Sequence, residues 1–462
     1  MLARMTTVFL ILASFSRVTS AATVTASSCS QTAVQAAIDS ATDGSIVSVP
    51  AGSCTWSAPV TIDNKNITLQ GAGHGCDSVL TPNGHPPSAC TGTSTNITVT
   101  SPTAIDVWDD SKPVRVTAFR FNRNSLDDAT IWVNKHSSAL SDKNAAGWRI
   151  DHVYFNGNAR HVSVNGARNF GVVDHSLFYV PNGTQIMLFW ARGANELDGT
   201  STLSQLSGNV AHSDPISLGS ADAFYVEDSE FYTNVWQGSQ NISDGTAGQR
   251  VVYRHNVVRG PMIENHGACS GRARGSYTFE IYDNDIYPYD WNGTSGYQWS
   301  SVRLRGGTGV IYNNRFYGTW DSGAGEIYFD NQRSEPSTVA GGECGAPVNS
   351  VCSASSGIDT SIGGRSAPLC LDQIGAGPGA IGAQAASPTY VWNNVNKGSG
   401  SANDAVTPRV DTTADDSTFI QANRDFFNSQ KPGYTAYAYP HPLTSGSQTT
   451  RPPATPTNLQ IR

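Results

Sequence analysis

The chain has 462 residues, 14% of them charged, with 45 glycines, 23 prolines and a formal net charge of −8. That balance is not a nucleic-acid footprint, which needs basic residues gathered to meet phosphate. Eight cysteines with no Cys-x-x-Cys pair and no Cys/His array give no zinc pattern.

Residues 1–22 read MLARMTTVFLILASFSRVTSAA. Arg4 supplies a positive end, Val8 to Ala13 an apolar run, and small residues follow around Ser20 to Ala22. This is the layout of a cleaved export signal and is too short for a membrane span, so it predicts a secreted protein starting between Ala21 and Thr23. No later segment approaches a span. In an exported chain, an even number of cysteines predicts disulfides. Cys29, Cys54, Cys76 and Cys90 lie near the start and Cys344, Cys352 and Cys370 lie together, with Cys269 between. The grouping predicts staples at the N-terminal end and in one long loop, and leaves the pairing open.

In residues 33–71, Val34, Ala37 and Ile38 mark a short amphipathic helix around 32–41. Asp43-Gly44 and Pro50-Ala51-Gly52 read as turns. Strands are predicted at Ile46–Val49, Val60–Ile62 and Ile67–Leu69. A phrase then recurs: RIDHVYF at 149–155, VVDHSLF at 172–178, YVEDSEF at 225–231, VYRHNVV at 252–258, IYDNDIY at 281–287, IYNNRFY at 311–317 and VWNNVN at 391–396. With Ile150, Val173, Val226, Tyr253, Tyr282, Tyr312 and Trp392 as equivalent positions, the steps are 23, 53, 27, 29, 30 and 80 residues. So short a unit cannot bury its own apolar face and must stack on copies of itself, which predicts an all-β solenoid. A helix at its open end would cover the first layer.

Alternation predicts strand faces. Val302 and Leu304 share one face against Ser301, Arg303 and Arg305; Phe279 and Ile281 share one against Thr278, Glu280 and Tyr282. The His or Asn at 152, 175, 255, 284, 314 and 394 is placed at each coil's turn, in a column that hydrogen-bonds along the stack. Residues 321–390 read as an irregular disulfide-held excursion from the 23–443 body. Residues 444–462 have linker composition.

Arg250, Arg254, Arg259, Arg272, Arg274, Arg303 and Arg305 fall within 56 residues. At a coil of about 30 residues, Arg272 and Arg274 fall near Arg303 and Arg305 on the next layer, where guanidinium forks would hold the carboxylates of an acidic polymer. Ordinary solvated or paired charge is the plain alternative. Glu264 and His266 share a strand face if extended and could act as base and acid. Tyr287, Tyr289, Trp291, Tyr297 and Trp299, with Trp236 and Trp320 apart, offer flat rings for sugar faces or a loop packed on itself. Asp222, Glu227 and Asp228, with Asp214 and His212, are oxygen-rich enough for Ca²⁺ but match no calcium loop, and surface acids explain them as well. Glu326 and Asp330 are further carboxylates for hydrolysis.

The 33–71 stretch, with AIDSATDG, VSVPAG and IDNKNITLQGAG, resembles the N-terminal cap and first coil of the pectin-lyase-like superfamily. WRIDH at 148–152 and GVVDH at 171–175 look like a phrase of pectate lyases, and VYRHNVVRGPMIENHG at 252–267 resembles the region of their catalytic arginine, placing it at Arg259. The second arginine of that pattern is absent, with Glu264 near its place, and the aspartate set of polygalacturonases is missing. The resemblance covers residues 31 to about 400 and implies a right-handed single-stranded parallel β-helix with an N-terminal capping helix. It implies chemistry drawn from polysaccharide lyases, glycoside hydrolases, epimerases, esterases or non-catalytic spikes. The final PTNLQI is similar to the first strand of a fibronectin-like module.

Three functions stay open: a lyase cleaving a uronate-containing polysaccharide by β-elimination, a glycoside hydrolase using paired carboxylates, and a non-catalytic carbohydrate-binding or adhesin β-helix. The first is favoured because it uses the arginines. His266, Arg259, Glu264 and Arg303 are then the catalytic candidates. Arg272, Arg274, Arg305, Trp236, Tyr297 and Trp299 are the substrate contacts of a monomeric enzyme, with Asp222, Glu227 and Asp228 as the calcium candidates.

Overall fold

The computed structural model describes residues 21–76, 90–108, 112–134, 144–164, 168–181, 187–189, 215–233, 241–245, 248–267, 275–289, 297–330, 372–377, 386–398, 404–410 and 420–445. Within them the protein is all-β with mostly parallel sheets. A 12-stranded sheet takes its members in chain order from Thr23–Thr25 to Phe426–Phe427. An 11-stranded sheet does the same from Gly52–Trp56 to Asp404–Ala405. Two five-stranded sheets take further strands, one between Val60–Ile62 and Met187–Phe189, the other between Asn241–Gly245 and Arg409–Val410. Parallel neighbours need long crossovers rather than hairpins; here the first crossover of the 12-stranded sheet holds the helix Gln31–Ser40 and the later ones contribute strands to the other sheets. Antiparallel pairing between named strands occurs only where Val395–Asn396 meets Asp404–Ala405, among the described residues.

The core follows the alternation. Ile150, Val173, Val226, Tyr253, Ile281, Ile311 and Val391 stand opposite one another across the 12-stranded sheet and are all buried. In the 11-stranded sheet Phe121, Phe155, Phe178 and Phe231 stack with ring centroids 6.1, 4.7 and 4.7 Å apart. Each such ring contributes roughly 2–3 kcal/mol by leaving water.

This register corrects the predicted equivalence. Tyr253 pairs with Ile281, while Tyr282, Tyr312 and Trp392 pair along the column of Arg254. Tyr253 is an inward tyrosine, whereas the other three rings belong to a second apolar cluster, distinct from the main core. Residue identity pointed one way and in–out alternation the other, and alternation sets the register. Sequence reading also passed over the strand Gly52–Trp56.

The turns form two columns rather than one. His152, His175, Asp228, His255, Asp283, Asn313 and Asn393 adopt left-handed φ between 47° and 57°, which suits Asn, Asp and His. One residue later runs an internal ladder. Ser229 N–H donates to Asn256 Oδ1, Asn256 to Asn284, Asn284 to Asn314 and Asn314 to Asn394, at 3.0–3.2 Å. The amide nitrogens of Asn256, Asn284 and Asn314 repeat these links side chain to side chain at 2.9–3.0 Å. Asn284→Ala strands the buried amides on both sides of it and is expected to cost roughly 2–3 kcal/mol. Urea unfolding measures this, and an unchanged midpoint would rule out the ladder as a stabilising element.

The helix is Gln31–Ser40, capped by Ser30 accepting from the Ala33 N–H, and Val34, Ala37 and Ile38 join the main core. Disulfides link Cys29 to Cys54 and Cys76 to Cys90. No cysteine is free among the described residues; Cys269, Cys344, Cys352 and Cys370 lie outside them. Two such bonds are consistent with an oxidising compartment. No helix among the described residues is long and apolar enough to cross a membrane; residues 1–20 lie outside them.

Residues 434–444 run back over the outer face of the 12-stranded sheet. Tyr434 O–H donates to Glu280, Arg254 donates to the carbonyls of Tyr437 and Ala438 at 2.9 Å, and the His441 N–H donates to Glu227 at 2.8 Å. Burial pushes His441 down to about 3, and also His161, which is wholly buried. Both stay neutral in the fold while the unfolded chain protonates near the usual ~6.5. Stability therefore falls as pH drops from 6.5 toward 3, by about 2 kcal/mol per histidine at pH 5. Urea melts at pH 7 and pH 5 test this, and His441→Asn should remove roughly half of the slope. Equal stability at both pH values would contradict it.

Candidate functional site

The second five-stranded sheet carries a connected group of functional side chains on one face. Glu264, Arg303, Tyr328 and Arg409 stand opposite one another on its successive strands. Ile263, Val302, Leu304, Ile327 and Phe329 alternate with them and fill the core. Period-2 geometry therefore turns Glu264, Arg303 and Tyr328 to the outer face, with Asp330 and Arg305 following in the same phase.

These side chains bind one another. Arg303 donates through Nε to Asp330 Oδ2 at 2.9 Å and again through Nη2, and its Nη1 lies 3.6 Å from Glu264 Oε1. Arg305 donates to Glu264 and, at 2.7 Å, meets His266 Nε2. A guanidinium can only donate, so His266 Nε2 is the acceptor and the ring is neutral, with its proton on Nδ1. Asn265 fixes this corner, its Oδ1 accepting from the Arg305 N–H at 2.8 Å and its carbonyl from Arg305 Nε at 3.2 Å. Trp299 covers the group, 5.3 Å from the Arg303 guanidinium and edge-on to Tyr328 at 4.9 Å.

Glu264, Asp330 and Arg305 are buried and Arg303 is 16% exposed, so the group opens outward through Arg303. Two guanidinium charges meet two carboxylate charges, and the arginines are held by the protein's own acids. The group can position a neutral base, His266, beside a guanidinium that can meet an anion, and it holds two carboxylates joined by one fork.

Of the sequence-predicted site residues, the structure brings together Glu264, His266, Arg303, Arg305 and Trp299. Arg259 does not join them. It sits in the 11-stranded sheet between Tyr232 and Tyr287, buried, 5.9 Å from the Tyr287 ring, and that burial lowers its pKa. Tyr297 is exposed and donates to Asp321 at 3.0 Å. Arg272, Arg274 and Trp236 lie outside the described residues.

The calcium candidates are apart in role. Glu227 forms a fully buried pair with Arg254, Asp228 accepts from the Tyr439 hydroxyl at 2.7 Å, and the Asp222 N–H bonds Ser220. No group of three or more His, Cys, Asp or Glu able to hold a metal ion occurs among the described residues. Glu326 accepts from Asn396 at 2.7 Å, away from Asp330's partners.

Tyr328 was missed by sequence reasoning. The alternation in EIYFD places it outward beside Asp330, the signal that would have found it. No protein-family model matches the chain, and no curated protein matches it.

Proposed function

We propose that the chain is a secreted polysaccharide-degrading enzyme acting at the Glu264–His266–Arg303–Arg305–Asp330 group, with β-elimination on a uronate-containing glycan as its reaction. The neutral His266, held by Arg305 one strand from Arg303, carries this reading. Arg303 takes the uronate carboxylate and stabilises the charge that grows there as the C5 proton leaves. His266 Nε2 accepts that proton as Arg305 releases it and keeps its bond to Glu264, the C4–O4 bond breaks as C4=C5 forms, and Tyr328 protonates the departing oxygen. Trp299 offers the flat surface for the neighbouring sugar.

Hydrolysis is the second reading, favoured by the mutual neutralisation of Arg303 and Arg305 by Glu264 and Asp330. In it Glu264 and Asp330 are the paired carboxylates. The fold reading behind both is a right-handed single-stranded parallel β-helix capped by Gln31–Ser40. Strands that join each sheet in chain order support it.

Full-length protein incubated with pectate, alginate, glucuronan and a neutral glucan, alongside a Glu264→Gln variant, tests the site. The proposal expects depolymerisation of at least one acidic polymer and loss of about 10²–10⁴-fold in the variant. Turnover equal in both proteins would move the chemistry elsewhere, and no turnover of any polymer would favour a binding protein.

A further inference from the structure

The left-handed column of the turns loses its side chains at one end. Thr117 stands opposite Asp151, so Ala118 is the column's residue one strand before His152, and it too has positive φ, 63°. Before it the place falls to Gly71. The next members are His152 and His175, whose rings lie parallel within 5° with centroids 5.2 Å apart. Where the stack should continue over the free side of His152 there is a cavity of about 570 Å³, lined by Gly73, His74, Gly75, Arg115, Ala118 and His152 among others. That volume is ordinary for a small-ligand site.

The walls are pre-organised by one buried carboxylate. Asp151, wholly buried, accepts from Arg115 Nε and Nη2 at 2.7 and 2.6 Å, from Thr117 Oγ1 at 3.0 Å and from His152 Nδ1 at 2.8 Å. These bonds fix the guanidinium and leave Arg115 Nη1 with no hydrogen bond to the described residues. They also fix the imidazole tautomer: Nδ1 donates to Asp151, so Nε2 of the neutral ring is an acceptor. His152 is half exposed. The cavity thus presents a flat ring face, a fixed donor and a fixed acceptor, which is the set that recognises a hydroxyl-bearing ring.

We propose that this cavity is a sugar subsite. One pyranose ring continues the imidazole stack on His152, Arg115 Nη1 donates to its hydroxyl or carboxylate oxygens, and His152 Nε2 accepts from a hydroxyl. It lies four strand positions of the 12-stranded sheet from Arg250–Arg254, the strand whose coil leads into Glu264, roughly 19 Å at the usual strand spacing. The subsite is therefore a separate hold on the glycan and does not depend on which reaction the Glu264 group performs.

The test follows the His152 ring signals by NMR in the full chain, assigned with His152→Asn, while methyl glucuronoside and methyl glucoside are added. Ala118→His places in the gap the residue that the next two strands use. Histidine tolerates positive φ, so the variant should fold. Circular dichroism checks this. Dose-dependent movement of the His152 signals with at least one glycoside, weakened tenfold or more in folded Ala118→His, is the expected result. Signals that stay fixed with both glycosides, or that move equally in Ala118→His, would overturn the subsite whether or not the protein cleaves a polymer.

Discussion

Arg254→Ala is expected to lower stability by about 3–5 kcal/mol, the usual cost of stripping one partner from a buried ion pair. Both side chains of the Arg254–Glu227 pair are fully buried. Arg254 also donates to Tyr282 Oη at 3.0 Å and lies over the Tyr225 and Tyr439 rings at 4.7 and 5.2 Å. Its loss removes both bonds to the Tyr437 and Ala438 carbonyls and should loosen residues 434–444 from the sheet. Burial already raises the Glu227 pKa despite Arg254, so the variant raises it further. A carboxyl with its folded pKa raised contributes stability below its unfolded pKa and loses it as pH rises. The variant's deficit should therefore be smaller near pH 4.5 than at pH 7. Adding Glu227→Leu should recover part of the loss at pH 7. Urea unfolding of the three variants measures this, and a loss under about 1 kcal/mol for Arg254→Ala would show a pair open to water.

Arg303→Ala is expected to cost about 10²–10⁴-fold in kcat/KM on an acidic polymer, the range seen for removing a group that stabilises transition-state charge. Arg303→Lys keeps the charge but cannot span Asp330 and Glu264 as a fork, so it should rescue only partly. Losing Arg303 also strips the buried Asp330 carboxylate of its fork, so circular dichroism of the variant must match the parent before the loss in rate is read. A neutral polymer separates the two reactions. Elimination predicts that Arg303→Ala harms only acidic substrates. Equal loss on a neutral glucan would mean that Arg303 acts by holding Glu264 and Asp330, as hydrolysis requires.

Much of the fold was legible because it rests on period-2 alternation. Val302, Leu304, Phe279 and Ile281 are inside. The asparagines at 284, 314 and 394 bond along the stack. Register was less legible where an inward tyrosine, Tyr253, imitated the outward Tyr282. The covering segment was not legible at all. Tyr434, Tyr437 and Tyr439 stand among small residues at uneven spacing, and they meet Glu280, Arg254 and Asp228 some 150 to 210 positions away.

The site divides in the same way. Glu264 with His266 and Arg303 with Arg305 could be paired from local spacing. That Arg303 would turn to Asp330, and that Arg259 would sit in another sheet, depends on pairing between strands distant in sequence, which local spacing does not carry. Of the two readings of the arginines, substrate carboxylates or paired charge, the pairing of Arg303 and Arg305 with Glu264 and Asp330 was not legible, because it joins strands distant in sequence.

The most direct test is the mass and ultraviolet absorbance of products from a uronate polymer, compared between the full chain and His266→Gln. Elimination predicts products carrying an unsaturated terminal uronate, one water lighter than hydrolysis products, and their near-complete loss in the variant. Saturated products that persist when His266 is replaced would contradict both the reaction and the role of the group.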